Sequence, residues 1–543
     1  YAPINQIFMS RNCSLVLHAH VPWVRHPEVS HCLEEDWLHS AIVETHLPLL
    51  EMLYRLRSEE VPFKLTMNLS PTLLAMFRDR LLKRRTIAYL DRTLRLCREE
   101  VERGDISGFR ALAEGYEDKL HRLRTLFVDE WQGDLIKAYA DLRDSGHIEL
   151  TASAATHGLL PLLMRVPESV QAQVRAGIRQ YVQCFGRMPR GFWLPECAYA
   201  PALSQILKQE GIDWTVVEEH GLTTAPQASE HFPFVPGVSA DDLFVFGRDQ
   251  ASSSEIWNAD EGFPGDDRYR DFMRDIGLEA PIEYLRDYLG ETEQRQFTGL
   301  KFYRSSRNEN ESDLYDPELA SRAVEEHSIR FVSSRGAQLA GLEGEGVENP
   351  VVVCAFDADL FGHWWYEGTE FLEKIFRKAA KRSDFSFVTP GAYLVANKAS
   401  EFPNAAPVSS SWGEGGYFET WTSSENNWVY LEMQKRAEQL ARFVKIFEIN
   451  RIDLLPETIA YRERCIQLMT KELLLAQSSD WGFLMQNEPS REYAEKRTRE
   501  HFEHFDEVWN VTLQGSDPEF LEKIEQPNPV FSDLPWNMYE PYV

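Results

Sequence analysis

The sequence has no run approaching the roughly 18 apolar residues that cross a bilayer, and its opening "YAPINQIFMSRN" lacks the apolar stretch of a secretory signal. A membrane-embedded helical protein is excluded, and a soluble chain is the expectation. Paired cysteine motifs are missing too. The seven thiols, at 13, 32, 97, 184, 197, 354 and 465, are odd in number, scattered and free of any CxxC pair, which excludes a disulfide framework or zinc ribbon and fits reduced thiols in a cytoplasm. Positive charge is scarce: 57 Lys and Arg stand against 86 Asp and Glu, a formal charge of −29. Such a surface repels nucleic acid and anionic lipid and suits a neutral partner. No low-complexity tract collects the 28 prolines and 30 glycines.

What is present is a long alternation of short apolar runs and helical segments. At 543 residues the chain exceeds the roughly 250–300 residues at which a single core stops growing, so two or three structural units are expected. Apolar runs at 13–22, 63–71, 148–161, 191–199, 213–221, 351–362 and 385–394 predict strands of a parallel α/β barrel or open sheet. In each, polar residues gather toward the C-terminal end, where ligands of parallel folds bind. Residues 72–145 read as a helical insertion within a catalytic region spanning 13–405. Amphipathic patterns without strand signals make 406–543 a helical C-terminal domain.

Two carboxylates stand out. Glu196 lies in "GFWLPECAYAP", an aromatic, proline-bounded strand end, and Asp357 follows "VVVCAF" and precedes "ADLFGHWWYEG". Apolar surroundings at a strand end raise a carboxyl pKa far enough for acid catalysis. Two such groups are the parts of a retaining glycosidase, one a nucleophile and one an acid/base, roughly 5–5.5 Å apart. A lone strand-end carboxylate can equally serve as a helix cap or salt-bridge partner. His18 and His20 share one strand face, and His157 ends another strand. Their spacing leaves open metal ligation, hydrogen bonding to sugar hydroxyls, or a purely structural role. Of the 14 tryptophans, Trp412 lies among serines and glycines and reads as a cleft residue, whereas Trp37 and Trp481 fit core packing as well as ring stacking.

Taken in order, "LVLHAHVPWVRHPE", "IELTASAATHGLLPLL", "GFWLPECAYAP", "CAFDADLFGHWWYEG" and "SSWGEGGYFETW" resemble the five signature regions of glycoside hydrolase family 57. The fuller similarity, including "VFGRDQASSSEIWNADEGFPGDDRYRDFMRDIG" and "SSDWGFL", is to its α-1,4-glucan branching subgroup. The resemblance implies a distorted (β/α)7 barrel with a helical insertion and a helical C-terminal domain. It implies Glu196 as nucleophile and Asp357 as acid/base, in a retaining transglycosylase that forms α-1,6 branches. It further implies an α-glucan partner, no cofactor and no metal. His18, His20 and His157 match family histidines, and Trp37, Arg248, Trp257, Gly265, Trp412, Trp421 and Asp480 are the implied substrate-binding positions. An α-amylase or 4-α-glucanotransferase of the same family is the alternative, and a metal-dependent polysaccharide deacetylase a more remote one. The oligomeric state stays open between monomer and small homo-oligomer. Three departures stand out: Asp359 where relatives commonly have Glu, Pro489 where branching relatives often carry Gln, and a divergent loop, 223–242, expected to overhang the cleft.

Overall fold

The computed structural model describes residues 11–103, 108–258, 262–289, 294–306, 313–486, 490–515 and 517–541. Its centre is strand β1 (Arg11–Ala19), which pairs in parallel with β2 (Leu65–Leu69) on one side and β8 (Val351–Asp357) on the other. From β2 the parallel sheet continues through β3 (Ile148–Ser153), β4 (Gly191–Trp193), β5 (Trp214–Val217) and β7 (Phe244–Gly247). One parallel bridge, Arg248 to Val353, joins the end of β7 to β8, and the Arg248 guanidinium donates across the same seam to the Ala355 carbonyl at 2.9 Å. Seven strands therefore close into a distorted (β/α)7 barrel whose β7–β8 seam is held at a single bridge.

The strands alternate as the two-residue period requires. On β1, Cys13, Leu15, Leu17 and Ala19 pack beneath the helices, while Val16 faces inward with Trp193, Trp214, Val216, Phe246, Val353 and Ala355. Large rings fill the interior, so the barrel is a packed core and not a pore, each buried side chain contributing roughly 1.5–3 kcal/mol. The fit is tight at Gly191, where a Cβ would lie 2.3 Å from the Trp214 ring. Toward the C-terminal ends the inward positions become polar, at His18, Asn68 and Asp357.

Six of the seven expected strands join the ring. The seventh, 385–394, does not: Phe385–Phe387 forms the three-residue β9, paired with the first residues of β1, after which Thr389 caps a helix at Pro390–Ala396. The missing ring member is β7, only four residues long. Loop 223–242 is also placed differently from the expectation. It carries β6 (Gly237–Val238), which pairs antiparallel with the start of β7, and its Phe234 carbonyl accepts from the Val351 N–H at the start of β8. Phe232 and Val235 of the loop are buried, Pro233 packs against Gly247 of β7, and no residue of the loop is among those lining the cleft.

Helices Pro71–Arg78, Arg80–Arg103, Phe109–Thr125 and Leu135–Asp144 fill the stretch between β2 and β3. The C-terminal helices Asn427–Asn450, Pro456–Ala476 and Arg491–Gln514 pack on the barrel. Helix Pro456–Ala476 is buried along its second half and meets helix Pro167–Phe185, where Gln173 donates to Gln477 Oε1 at 3.1 Å. This contact sets the following short helix Ser479–Leu484 over the open end of the barrel. No helix among the described residues is long and apolar enough to cross a membrane.

Candidate active site

Glu196 is presented by a strained turn. After β4 the chain enters Pro195–Cys197, where Glu196 and Cys197 adopt left-handed φ values of 59° and 50°. Each costs about 1 kcal/mol or more for a residue with a Cβ, and such strain collects at functional sites. The segment around Trp412 holds the turn in place. Tyr199 and Ser410 exchange backbone hydrogen bonds, the Trp412 N–H donates to the Glu196 carbonyl at 3.1 Å, and the indole Nε1–H donates to Glu196 Oε2 at 2.8 Å. Burial pushes the Glu196 carboxyl up to about 7, against the indole bond, which favours the charged form.

Asp357 is the last residue of β8, in register with His18 on β1. Burial first, then the negative charges of Glu196 and Asp359, raise its carboxyl well above the usual range, while Arg248 opposes the shift. Arg248 is itself neutralised by Glu218, 3.1 Å away. The two strand-end carboxyls are thus electrostatically coupled. The one bonded by an indole keeps its charge more readily, and the one among negative neighbours keeps its proton.

The three histidines form a stack beside this pair. His18 hydrogen-bonds Asn68 through Nδ1 (2.7 Å) and His157 through Nε2 (2.9 Å). His20 bonds Ser70 (2.8 Å) and Asp480 (2.8 Å), and His157 bonds Ser479 (2.9 Å) with its Nδ1 3.6 Å from Glu196. Burial lowers His18 to about 3 and His157 well below its usual value, so both rings are neutral acceptors and donors. Burial disfavours the Asp480 charge, yet His20 and Ser478 bring that carboxyl below its ordinary value. His20, His157 and Asp480 offer ligand atoms within 4.8 Å of one another, a set that could hold a metal ion. Every ring nitrogen in the trio already has a hydrogen-bond partner.

These groups line one cleft of about 840 Å³, within the size range of small-molecule and sugar sites. It brings together His18, His20, His157, Glu196, Arg248, Trp257, Asp357, Trp412, Trp421 and Asp480. Trp257, 44 % exposed, lies 6.3 Å from Trp412, whereas Trp421 is almost wholly buried behind Gly413. Two sequence candidates do not reach the lining. Trp37 sits edge-on to Tyr493 at 5.8 Å between helices, and Gly265 ends a turn whose Phe263 stacks on His327. Trp481 is core, its indole donating to the Leu475 carbonyl. Pro489 lies outside the described residues. Asp359, Trp364, Phe483, Gln250 and Gln486 are among the other residues of the wall. Trp364 stood in an aromatic motif, but nothing in the sequence marked it as 55 % exposed.

Comparison with known proteins agrees with this geometry. The family model described as glycosyl hydrolase family 57 matches residues 14–294, and that of the 1,4-alpha-glucan branching enzyme C-terminal region matches residues 435–539. A 1,4-alpha-glucan branching enzyme of Thermococcus kodakarensis is 28 % identical over 94 % of this chain and 76 % of its own length. Among solved structures, an alpha-amylase of Thermotoga maritima is 33 % identical with a TM-score of 0.89, covering 98 % of this chain and all of the other. A branching enzyme of Pyrococcus horikoshii is 28 % identical with a TM-score of 0.84, covering 98 % of this chain and 97 % of that one. With its strained glutamate, coupled aspartate and seven-stranded barrel matched along almost the whole length, the chain belongs to glycosyl hydrolase family 57.

Proposed function

We propose that this protein is a 1,4-α-glucan branching enzyme. The observation that carries the reading is one cleft combining the Glu196–Asp357 pair with Asp480 and Phe483 of the short helix Ser479–Leu484, contributed by the region that matches the branching-enzyme C-terminal model. Glu196 attacks C1 of an α-1,4-linked glucosyl residue while Asp357 passes its proton to the departing oxygen, leaving a covalent glycosyl-enzyme. The Asp357 carboxylate then takes the proton of an acceptor 6-hydroxyl, that oxygen bonds to C1, and Glu196 leaves. An α-1,6 branch results, without a cofactor. The histidines and Arg248 orient hydroxyls, and Trp257 and Trp412 offer faces to sugar rings. A glycogen-type glucan in the cytoplasm is the substrate and setting we assign.

Hydrolysis by an α-amylase is the second reading, favoured by the Thermotoga maritima relative. It differs only in the second step, where water replaces the sugar hydroxyl. A deacetylase would recruit a metal to His20, His157 and Asp480, at the cost of the hydrogen bonds that hold them. Amylose separates the first two readings. Branching lowers iodine absorbance with few new reducing ends, and isoamylase then releases short chains. Reducing ends that appear in step with the iodine loss, without isoamylase-sensitive linkages, would replace the branching reading by the amylase one.

A further inference from the structure

The stretch "RYRDFMRDIG" (268–277) contributes nothing to the cleft lining, yet it builds an exposed aromatic surface at the cleft edge. Trp364, a lining residue 55 % exposed, packs against Phe272 with ring centroids 4.3 Å apart. Phe272 in turn meets Phe297 at 5.3 Å, and Phe297 is 37 % exposed. Beside them Met273 is 63 % exposed. Three rings and a thioether thus run outward from the cleft. Monomeric proteins leave apolar surface of this kind uncovered where something binds.

The surface is rigid because a buried aspartate builds it. The Asp275 carboxylate, with no solvent exposure, accepts from the Gly277, Thr298 and Gly299 N–H groups (2.8, 3.0 and 2.9 Å) and from the Thr298 hydroxyl (2.7 Å). It clamps the segment bearing Phe297 to the one bearing Phe272. The buried Lys301 ammonium sits 3.8 Å from the centre of the Phe272 ring and 4.7 Å from that of Phe297, bracing both. A pre-ordered platform loses little entropy on binding.

We infer that Phe272, Phe297 and Met273 form a platform for the distal part of a long α-glucan chain whose reacting end lies in the cleft. A glucan is the occupant because the surface is continuous with the glucan cleft through Trp364, and because its flat rings match the apolar C–H faces of glucosyl units. The strong negative charge of the chain disfavours an anionic occupant. The inference rests on the branching reading and adds a determinant of chain-length preference.

Phe297→Ala tests it, with Phe272→Ala as a second variant and Phe297→Trp as a conservative replacement. The assays use amylose and maltoheptaose in parallel. Expected for Phe297→Ala is a KM for amylose raised about fivefold, equivalent to about 1 kcal/mol for one lost ring contact. Its kcat, and both constants for maltoheptaose, should match wild type, and the chains released by isoamylase should become shorter. Phe297→Trp restores the amylose KM. Equal effects on both substrates, or unchanged amylose KM and chain profile in both alanine variants, overturn the platform while leaving the branching reading intact. Failure of wild-type enzyme to branch amylose instead removes the reading beneath it.

Discussion

Two clusters in this chain are made from the same side chains, a buried carboxylate and two histidines, and they treat charge in opposite ways. In the helical C-terminal region, Glu472 accepts from His501 Nδ1 (2.7 Å) and His504 Nδ1 (3.3 Å), with Lys471 3.6 Å away. Burial opposes the Glu472 charge, but these bonds and the ammonium outweigh it and hold the carboxyl well below its usual range. At the cleft, His157 and His20 flank Glu196, yet burial wins there and the Glu196 carboxyl rises to about 7. The backbone follows the same division. Glu472 lies inside a regular helix, while Glu196 and His157 sit at left-handed φ. Metal-ligand geometry occurs in both places, in the Glu472, His501 and His504 cluster and, at the cleft, in His20, His157 and Asp480 beside Glu196, so residue type and proximity do not separate a structural cluster from a reactive one. What separates them is whether the surroundings satisfy the carboxylate or leave it poised beside an 840 Å³ cleft.

Substitution breaks the comparison most sharply. Glu196→Gln should lower turnover on the order of 10⁴-fold and Asp357→Asn by about 10²–10⁴-fold, with thermal stability kept or raised because a buried charge has gone. Glu472→Gln should do the reverse, preserving turnover per folded molecule while losing about 3–5 kcal/mol of stability, since Lys471 loses its counter-charge and the hydrogen bonds from His501 and His504 lose their charged acceptor. Denaturant melts and steady-state assays on all three variants decide the matter. An unfolded Glu196→Gln, or a folded but inactive Glu472→Gln, would reverse the roles assigned to the two clusters.

The effects of pH should differ by cluster and by readout. With the proposed roles, in which Glu196 reacts ionised and Asp357 protonated, the rate should rise as pH climbs through about 7 and fall again as pH passes the raised Asp357 value. Stability follows another window. His39 and His501 are lowered to about 4, and His18 and His46 to about 3, all chiefly by burial. Between about 6.5 and 4 the unfolded chain takes up protons that these native rings refuse, so stability falls with falling pH across that range. His504 has the opposite sign. Its folded value is raised, through the Glu472 bond and charge acting against burial, so its contribution is complete below about 6.5 and disappears as pH rises through the folded value. A melting series and a pH–rate profile that moved together would contradict this separation.

The smallest expected effect is that of a chelator. Dialysis against EDTA should leave turnover unchanged, because the His20–His157–Asp480 trio is held by hydrogen bonds. Activity lost and then restored by a divalent ion would make the cleft cluster a metal centre and bring back the deacetylase chemistry.

Much of the site was legible because its residues lie at strand ends, where an apolar run terminates in a polar group. The histidines, Glu196 and Asp357 carry that signature. β7 was not read from the sequence, although at four residues it is no shorter than β4 or β5. The 385–394 run misled in the opposite direction: it is apolar enough for a ring strand, yet Pro390 and the Thr389 cap turn it into a helix. Trp37 and Trp481 read alike, fitting core packing as well as ring stacking, and only packing sets Trp37 edge-on to Tyr493 and turns the Trp481 indole onto the Leu475 carbonyl.

The sequence by itself determined a parallel α/β architecture, the helical C-terminal region, the presence of two strand-end acids and, through its ordered motifs, the family and the barrel that the family implies, because periodicity and motifs are local properties of the chain. Tertiary structure alone decided which groups share a cleft. It brought Asp480 to His20 across 460 positions, Trp412 to Glu196 across 216, and Phe297 to Phe272 at the cleft edge. It also decided the charge states, because desolvation and coulombic coupling depend on distance and burial, and neither is written in the order of residues.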